Sequence, residues 1–289
     1  MPTKVRIEEQ GMNVKMFWAA AALALGAGYA TDSQASLPPA ELTYADAADL
    51  ALAAPVAAHV RIRRASALRE RDVTGVTPGH RRFFVEAEIV SLIRGPVQPA
   101  RVSFLVDLPN DARGRAYRVP RRAEFLLLAA EVVGRPGELR LAAPDAMIPY
   151  TPAEADRFRS IIREVVAEDA PPRITAIGRA FHVPGSIPGE SETQLFLQTE
   201  NQRPVSLSIL RRPGEQPRWA VALAEFVDET ASVPQRDTLL WYRLACTLPR
   251  TLPRQSVGEA SAEEARAIAA DYRLVTDGLG ACTRNRTVR

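Results

Sequence analysis

The sequence predicts an α+β chain rich in strands: a small closed β-barrel with one covering helix, then an antiparallel β-meander with two C-terminal helices. Three observations predict it. Residues 80–107, HRRFFVEAEIVSLIRGPVQPARVSFLVD, hold two runs of period two, joined by a five-residue linker with Gly95, Pro96 and Pro99. That is the pattern of a long hairpin with half-buried strands. Five strand-like runs precede a single amphipathic helix in the first half, enough to close a small barrel with one helix over it. The 23 Pro and 16 Gly fall in short clusters, which punctuates many short elements and fits strands better than a helical bundle. At 289 residues, 46% of them hydrophobic, a single core stops growing, so two folding units are expected, 36–170 and 171–289, meeting at Pro171-Pro172.

Residues 1–35 read as a cleaved signal peptide. The run MFWAAAALALGAG at 16–28 follows Lys15 and is too short to cross a bilayer as a helix. Small-x-small cleavage sites end at Ala30 and at Ala35, the second preferred because Ser36 and a Pro pair follow. Met12 is an alternative start to Met1, and an uncleaved anchor is the competing reading. Cleavage leaves a periplasmic or secreted chain with no membrane span and puts Cys246 and Cys282 in an oxidising compartment, where a disulfide is expected; two buried free thiols are the alternative. Closing a loop of that size contributes about 4 kcal/mol on chain-entropy grounds. Lys4 and Lys15 are the only lysines and leave with the signal, so no Lys remains as a base or Schiff-base nucleophile.

Along the mature chain, residues 43–54 read as a short helix opened by Thr43 and stopped before Pro55, and 56–62 as the first strand. A loop is expected over 65–79. After the hairpin, EFLLLAAEVV at 124–133 is a nearly continuous apolar strand, turned by Gly134-Arg135-Pro136-Gly137 into a short strand at 138–142. Thr151, Pro152 and Glu154 form a capping box with its proline, and Phe158, Ile161, Ile162, Val165 and Val166 recur at helical spacing. Strands follow at 174–183, 193–199, 205–210 and 218–227, with short links that favour an antiparallel meander. TLLWYRLAC, from Thr238, is apolar nearly all round, as a buried helix is. Ser261 and Glu264 make a second capping box, and Ala265, Ile268, Ala269, Tyr272 and Val275 stripe a last helix ending at Gly278.

The runs VEAEIVSLIRGP, ARVSFLV and EFLLLAAEV, with a Gly turn before LRL, resemble the OB-fold barrels of netrin and TIMP-like secreted modules over about residues 54–167. The resemblance implies an OB-like barrel in a secreted protein. That family carries its own disulfides and an N-terminal Cys that reaches a metalloprotease; this stretch has no Cys, so inhibition by that route does not carry over. The whole chain also resembles exported proteins of Gram-negative bacteria, which adds a compartment and no activity.

The net charge is +3, and nearly all the basic residues are Arg. Their short clusters, Arg61-Arg63-Arg64, Arg81-Arg82, Arg121-Arg122 and Arg211-Arg212, make no basic stripe with interleaved aromatics, so nucleic acid is not an expected partner. The loop HVPGSIPGESE at 182–192 is the one place that gathers catalytic residue types. A serine hydrolase there would use Ser191 as nucleophile, His182 or His80 as base and Glu190 or Asp107 to orient the imidazole. GESET lacks the G-x-S-x-G elbow, and a solvated hairpin loop is the competing reading. His59, His80 and His182 would suffice for a catalytic zinc only by converging from three different strands, and they share no ligand motif. The pairs Glu86/Glu88 and Glu190/Glu192 read as solvated faces. No motif implies a cofactor. The expected function is therefore that of an exported non-enzymatic protein binding a protein or cell-envelope ligand, with a periplasmic hydrolase using His182 and Ser191 as the alternative.

Overall fold

The structure is a computed structural model that describes residues 41–111, 113–223 and 231–286. The signal segment, both cleavage sites and Met12 lie outside the described residues. The described residues form one compact unit.

The chain enters through α1 (Tyr44–Ala53), then β1 (Val56–Ala67), β2 (His80–Arg94), β3 (Arg101–Pro109), β4 (Glu124–Glu131), β5 (Glu138–Leu141), β6 (Met147–Pro149) and α2 (Pro152–Val166). Strand order β1-β2-β3-β5-β4, with β1 pairing β4 in turn, closes a five-strand, OB-like barrel; β6 pairs with β4 as well. Every pairing is antiparallel except β3–β5, which is parallel and only two residue pairs long. β1 pairs with both β2 and β4, and three register irregularities along β1–β2 are of the kind that curve a strand so that a barrel can close. Gly95, at φ +115°, lets the end of β2 pass close to Pro55 and Val56, where a Cβ would sit 3.1 Å from the Pro55 carbonyl oxygen.

β7 (Ile174–Pro184), β8 (Ser191–Thr199), β9 (Val205–Arg211) and β10 (Arg218–Ala222) form an antiparallel sheet in the order β10-β9-β8-β7. α3 (Leu239–Ala245) and α4 (Ala262–Leu279) follow. Cys246 and Cys282 are joined by a disulfide.

Two apolar clusters hold these layers. One fills the barrel with Ala58, Val60, Val85, Phe104, Leu127 and their neighbours. The other begins on the outer wall of the same strands, at Ala57, Leu126 and Leu128, and runs through α1 and α2 to Leu195, Leu207 and Ile209 of the second sheet and on to α3 and α4. β4 is therefore buried on both faces, which is why EFLLLAAE shows no alternation. Seven of the ten α1 residues are buried, chiefly alanines, and small side chains let this helix lie close against its neighbours. Arg94, at the end of β2, donates to the carbonyls of Ala51 (2.9 Å) and Ala54 (3.3 Å), capping the C-terminal end of α1. The expected boundary at Pro171-Pro172 falls in the link from α2 to β7, and the second cluster continues across it.

Several expectations are corrected. β1 continues to Ala67 because the long β2 supplies partners for Arg64, Ala65, Ser66 and Ala67 despite the loss of apolar alternation. The three-residue β6 was too short to carry a periodic signal. The Thr151 box is half made: the hydroxyl accepts from the Glu154 N–H at 3.1 Å, but the Glu154 carboxylate turns to Arg157. The last helix runs past Gly278 to Leu279, capped by Gly280 at φ +70°, because Gly278 serves packing instead: a Cβ there would lie 2.8 Å from Trp219 Nε1. β10 ends at Ala222; residues 224–227 of the expected strand lie outside the described residues.

Candidate functional site

Asp271 lies on the face of α4 that meets the second sheet and is 1% exposed. A carboxylate there is costly unless its oxygens are bonded. Thr193 of β8, itself buried, donates its hydroxyl to Oδ2 at 2.5 Å, and Arg211 of β9 donates Nε to Oδ1 at 2.6 Å. His182, opposite Thr193 on β7, places Nδ1 2.8 Å from the Thr193 hydroxyl oxygen. The hydroxyl has one proton and gives it to Asp271, so it accepts from His182 Nδ1–H, and the ring's lone pair is left on Nε2. An imidazole held in one tautomer through a hydroxyl anchored on a carboxylate has the form of a general base.

The nucleophile is not with it. Ser191 occupies the next same-face position of β8, opposite Pro184 and Arg211, and among the described residues no hydroxyl or thiol bonds Nε2 of His182. Glu190 folds back on its own loop, its side chain lying where a Cβ on Gly185 would be, while its carbonyl accepts from the Gly185 N–H at 2.8 Å. HVPGSIPGESE is thus the turn of the β7–β8 hairpin. His182 belongs to a network with Thr193, Arg211 and Asp271 that ties α4 to the sheet. The signal for Asp271 was available: a lone acid between Ile268 and Val275 interrupts the apolar side of α4.

The other histidines are dispersed. His59, on the outer wall of β1, stacks on Tyr150 with ring centroids 3.7 Å apart and bonds Glu124 at 2.9 Å. Arg61 bonds the other oxygen of Glu124, and that guanidinium, with His59, outweighs burial and holds the carboxyl below its usual range. His80 is half-buried at the start of β2, near the Pro78 carbonyl. Asp107, offered as an orienting acid, is engaged on both oxygens by Arg82 at 2.6 and 2.8 Å. Among the described residues no group of three metal-ligating side chains occurs.

A different feature opens on the barrel flank. The two-pair β3–β5 ladder ends at Phe104↔Leu139, whereas β3 stays paired with β2 as far as His80↔Pro109. The N–H of Ser103 donates to the Gly137 carbonyl on the β5 side, so odd-numbered residues of β3 turn their backbone groups that way, and among the described residues Asp107 has no strand opposite it there. Between this edge and residues 139–144 lies a groove of about 700 Å³. Phe84 and Leu105, 39% and 48% exposed, form part of its apolar wall. Arg82, Asp107, Arg135, Glu138 and Arg140 rim it; the first two pair, as do Arg135 and Glu138 at 3.1 Å, so the charge of Arg140 is in excess.

The C-terminal segment beyond Cys282 returns to α1. Asp46, completely buried, accepts from the N–H groups of Thr43, Asn285 and Arg286 and from the Thr43 hydroxyl; burial raises its pKa, but these bonds together bring it below the usual carboxylate range. Asp49 accepts from the Tyr242 hydroxyl at 2.5 Å and from Arg284 at 2.6 Å, while burial and Asp49 push the Tyr242 phenol up to about 12. Arg286 forks onto Asp145 at 2.7 and 2.6 Å. No helix of the described residues is long and apolar enough to cross a membrane.

No protein-family model matches the chain, and no curated protein matches it.

Proposed function

We propose that this is an exported, non-enzymatic binding protein that takes an extended segment of a partner protein, in the cell envelope or outside it, along the open flank of its barrel. The observation that carries the reading is the free edge of β3 beyond Phe104, bordered by the apolar groove. An unpaired strand edge beside alternating apolar sites binds a peptide by strand addition, with backbone bonds giving affinity and side-chain pockets giving selectivity. The excess charge of Arg140 favours a segment with an acidic residue among apolar ones. Export is supported by the apolar run at 16–28 and by the disulfide, which persists outside the cytoplasm. The resemblance to netrin and TIMP-like modules points the same way, toward a secreted binding barrel. The hydrolase alternative loses ground because Ser191 lies opposite Pro184 and Arg211 and, among the described residues, no hydroxyl bonds Nε2 of His182.

The test places a photo-crosslinking residue at Leu105 in the exported protein, maps the partner segment it captures, and titrates that segment as a synthetic peptide. Binding should weaken at least tenfold in Leu105→Lys, an exposed position that the fold tolerates. Equal affinity for the variant, or crosslinks that map to no single segment, sinks the proposal.

A further inference from the structure

A cleft of about 760 Å³ lies where the C-terminal half of α1, the entrance to β7, the end of β8 and the end of α3 meet, and Asp49, Arg173, Glu200, Tyr242, Arg243 and Arg284 contribute to its lining. Its charges are unevenly matched. Arg284 is forked onto Asp49, which also takes the Tyr242 hydroxyl, so that pair is closed. Among the described residues, Arg173 and Arg243 donate to no acceptor through their side chains, and no carboxylate lies within ion-pair reach of either. Glu200 is the other acid of the lining and reaches neither. Three guanidiniums thus face two carboxylates, an excess of one positive charge.

Arg243 is half-buried, with its Nε shut off from solvent and left without an acceptor. The sealed Nε cannot meet a ligand, but an anion in the cleft that bonds the Nη groups would offset the cost of leaving this half-buried guanidinium without a counter-charge. Burial pushes the Arg243 pKa down and the charge of Arg173 pushes the same way, while Tyr242 and Glu200 push it up without forming an ion pair with it. The position of Arg243 in the last turn of α3 suits the helix dipole, but that accounts for one arginine and not for its neighbour from another element.

The geometry points to an anion site in this cleft: Arg173 and Arg243 bind a small oxyanion, a carboxylate or a phosphate, between them. Oxyanions offer several lone pairs to guanidinium forks, and arginine is the side chain suited to that recognition. The site is separate from the barrel groove, whose lining shares no residue with it.

The experiment is a melting-temperature titration of the full exported chain with sodium phosphate and with sodium succinate, each at constant ionic strength against chloride. A saturable rise is expected with at least one anion; phosphate alone identifies a phosphate ligand, succinate alone a carboxylate, and both a general oxyanion site. Arg173→Gln, at an exposed position that folding does not need, should weaken the response about tenfold or more, and Arg243→Gln should abolish it. No saturable rise with either anion overturns the inference. So does unchanged affinity in Arg173→Gln, which would reduce Arg243 to a helix-end cation.

Discussion

Asp271→Ala probes whether α4 is held to the second sheet by the network at its centre. The change removes a carboxylate that is 1% exposed and leaves the Thr193 hydroxyl, fully buried, without its acceptor. An orphaned buried hydroxyl costs about 1–3 kcal/mol. The pair with Arg211 adds less than a sealed ion pair would, because the Arg211 side chain is 36% exposed and recovers water; about 1 kcal/mol is the discounted share. The expected loss is therefore about 2–4 kcal/mol. Thr193→Val, which keeps the shape but removes the bridge between His182 and Asp271, should cost about 1–3 kcal/mol. The double variant should cost less than the sum, since both changes break one bond. Urea unfolding followed by circular dichroism reads all three as shifts in midpoint at constant slope. A loss below about 1 kcal/mol for Asp271→Ala, or strict additivity in the double variant, would refute the argument.

Replacing Cys246 and Cys282 by Ser opens a loop whose ends are 36 residues apart and should cost about 4 kcal/mol, seen as a fall in melting temperature of roughly 8–16 °C for a chain of this size; a fall of only a degree or two would show that the reduced unfolded state is already restrained. Acid should loosen the C-terminal segment. The carboxyls of Asp46 and Asp145 are both held below their ordinary values, so their contribution is complete above the unfolded carboxylate pKa, near 4, and is lost as pH falls through the lower folded values. Hydrogen exchange between pH 5 and pH 2.5 should show the amides of Asn285 and Arg286 opening before those of the barrel strands; simultaneous opening would mean that Asp46 does not anchor the segment.

The hairpin at 80–107, the apolar strand expected at 124–133 and found at Glu124–Glu131, and the helix stripes were legible because each follows from the pattern of one element. So were the caps at Thr43 and Ser261, and the candidacy of Cys246 and Cys282 for a disulfide, which rested on the oxidising compartment that a cleaved signal implies and on a count of two. The network around Asp271 was not legible. Its members stand at 182, 193, 211 and 271, and only pairing across three strands and the packing of α4 bring them within hydrogen-bond distance. The placement of the candidate loop's residues was illegible for the same reason. Proximity in sequence gathered His182, Glu190 and Ser191, but the β7–β8 register set the imidazole opposite Thr193, and the turn geometry folded Glu190 back onto Gly185.

By itself the sequence determined the class of the protein, a strand-rich barrel followed by a meander and two helices, because hydrophobic period and turn residues act over a few positions. Only the tertiary structure decided where a surface could act. Barrel closure needed β3 and β5 to meet for two residue pairs and no more, and that mismatch of strand lengths, a property of neither strand alone, left the edge and the groove beside it. The arginine cleft arose likewise, from helices and strands distant in sequence whose packing brought Arg173 and Arg243 to one cleft with no ion-pair partner for either among the described residues.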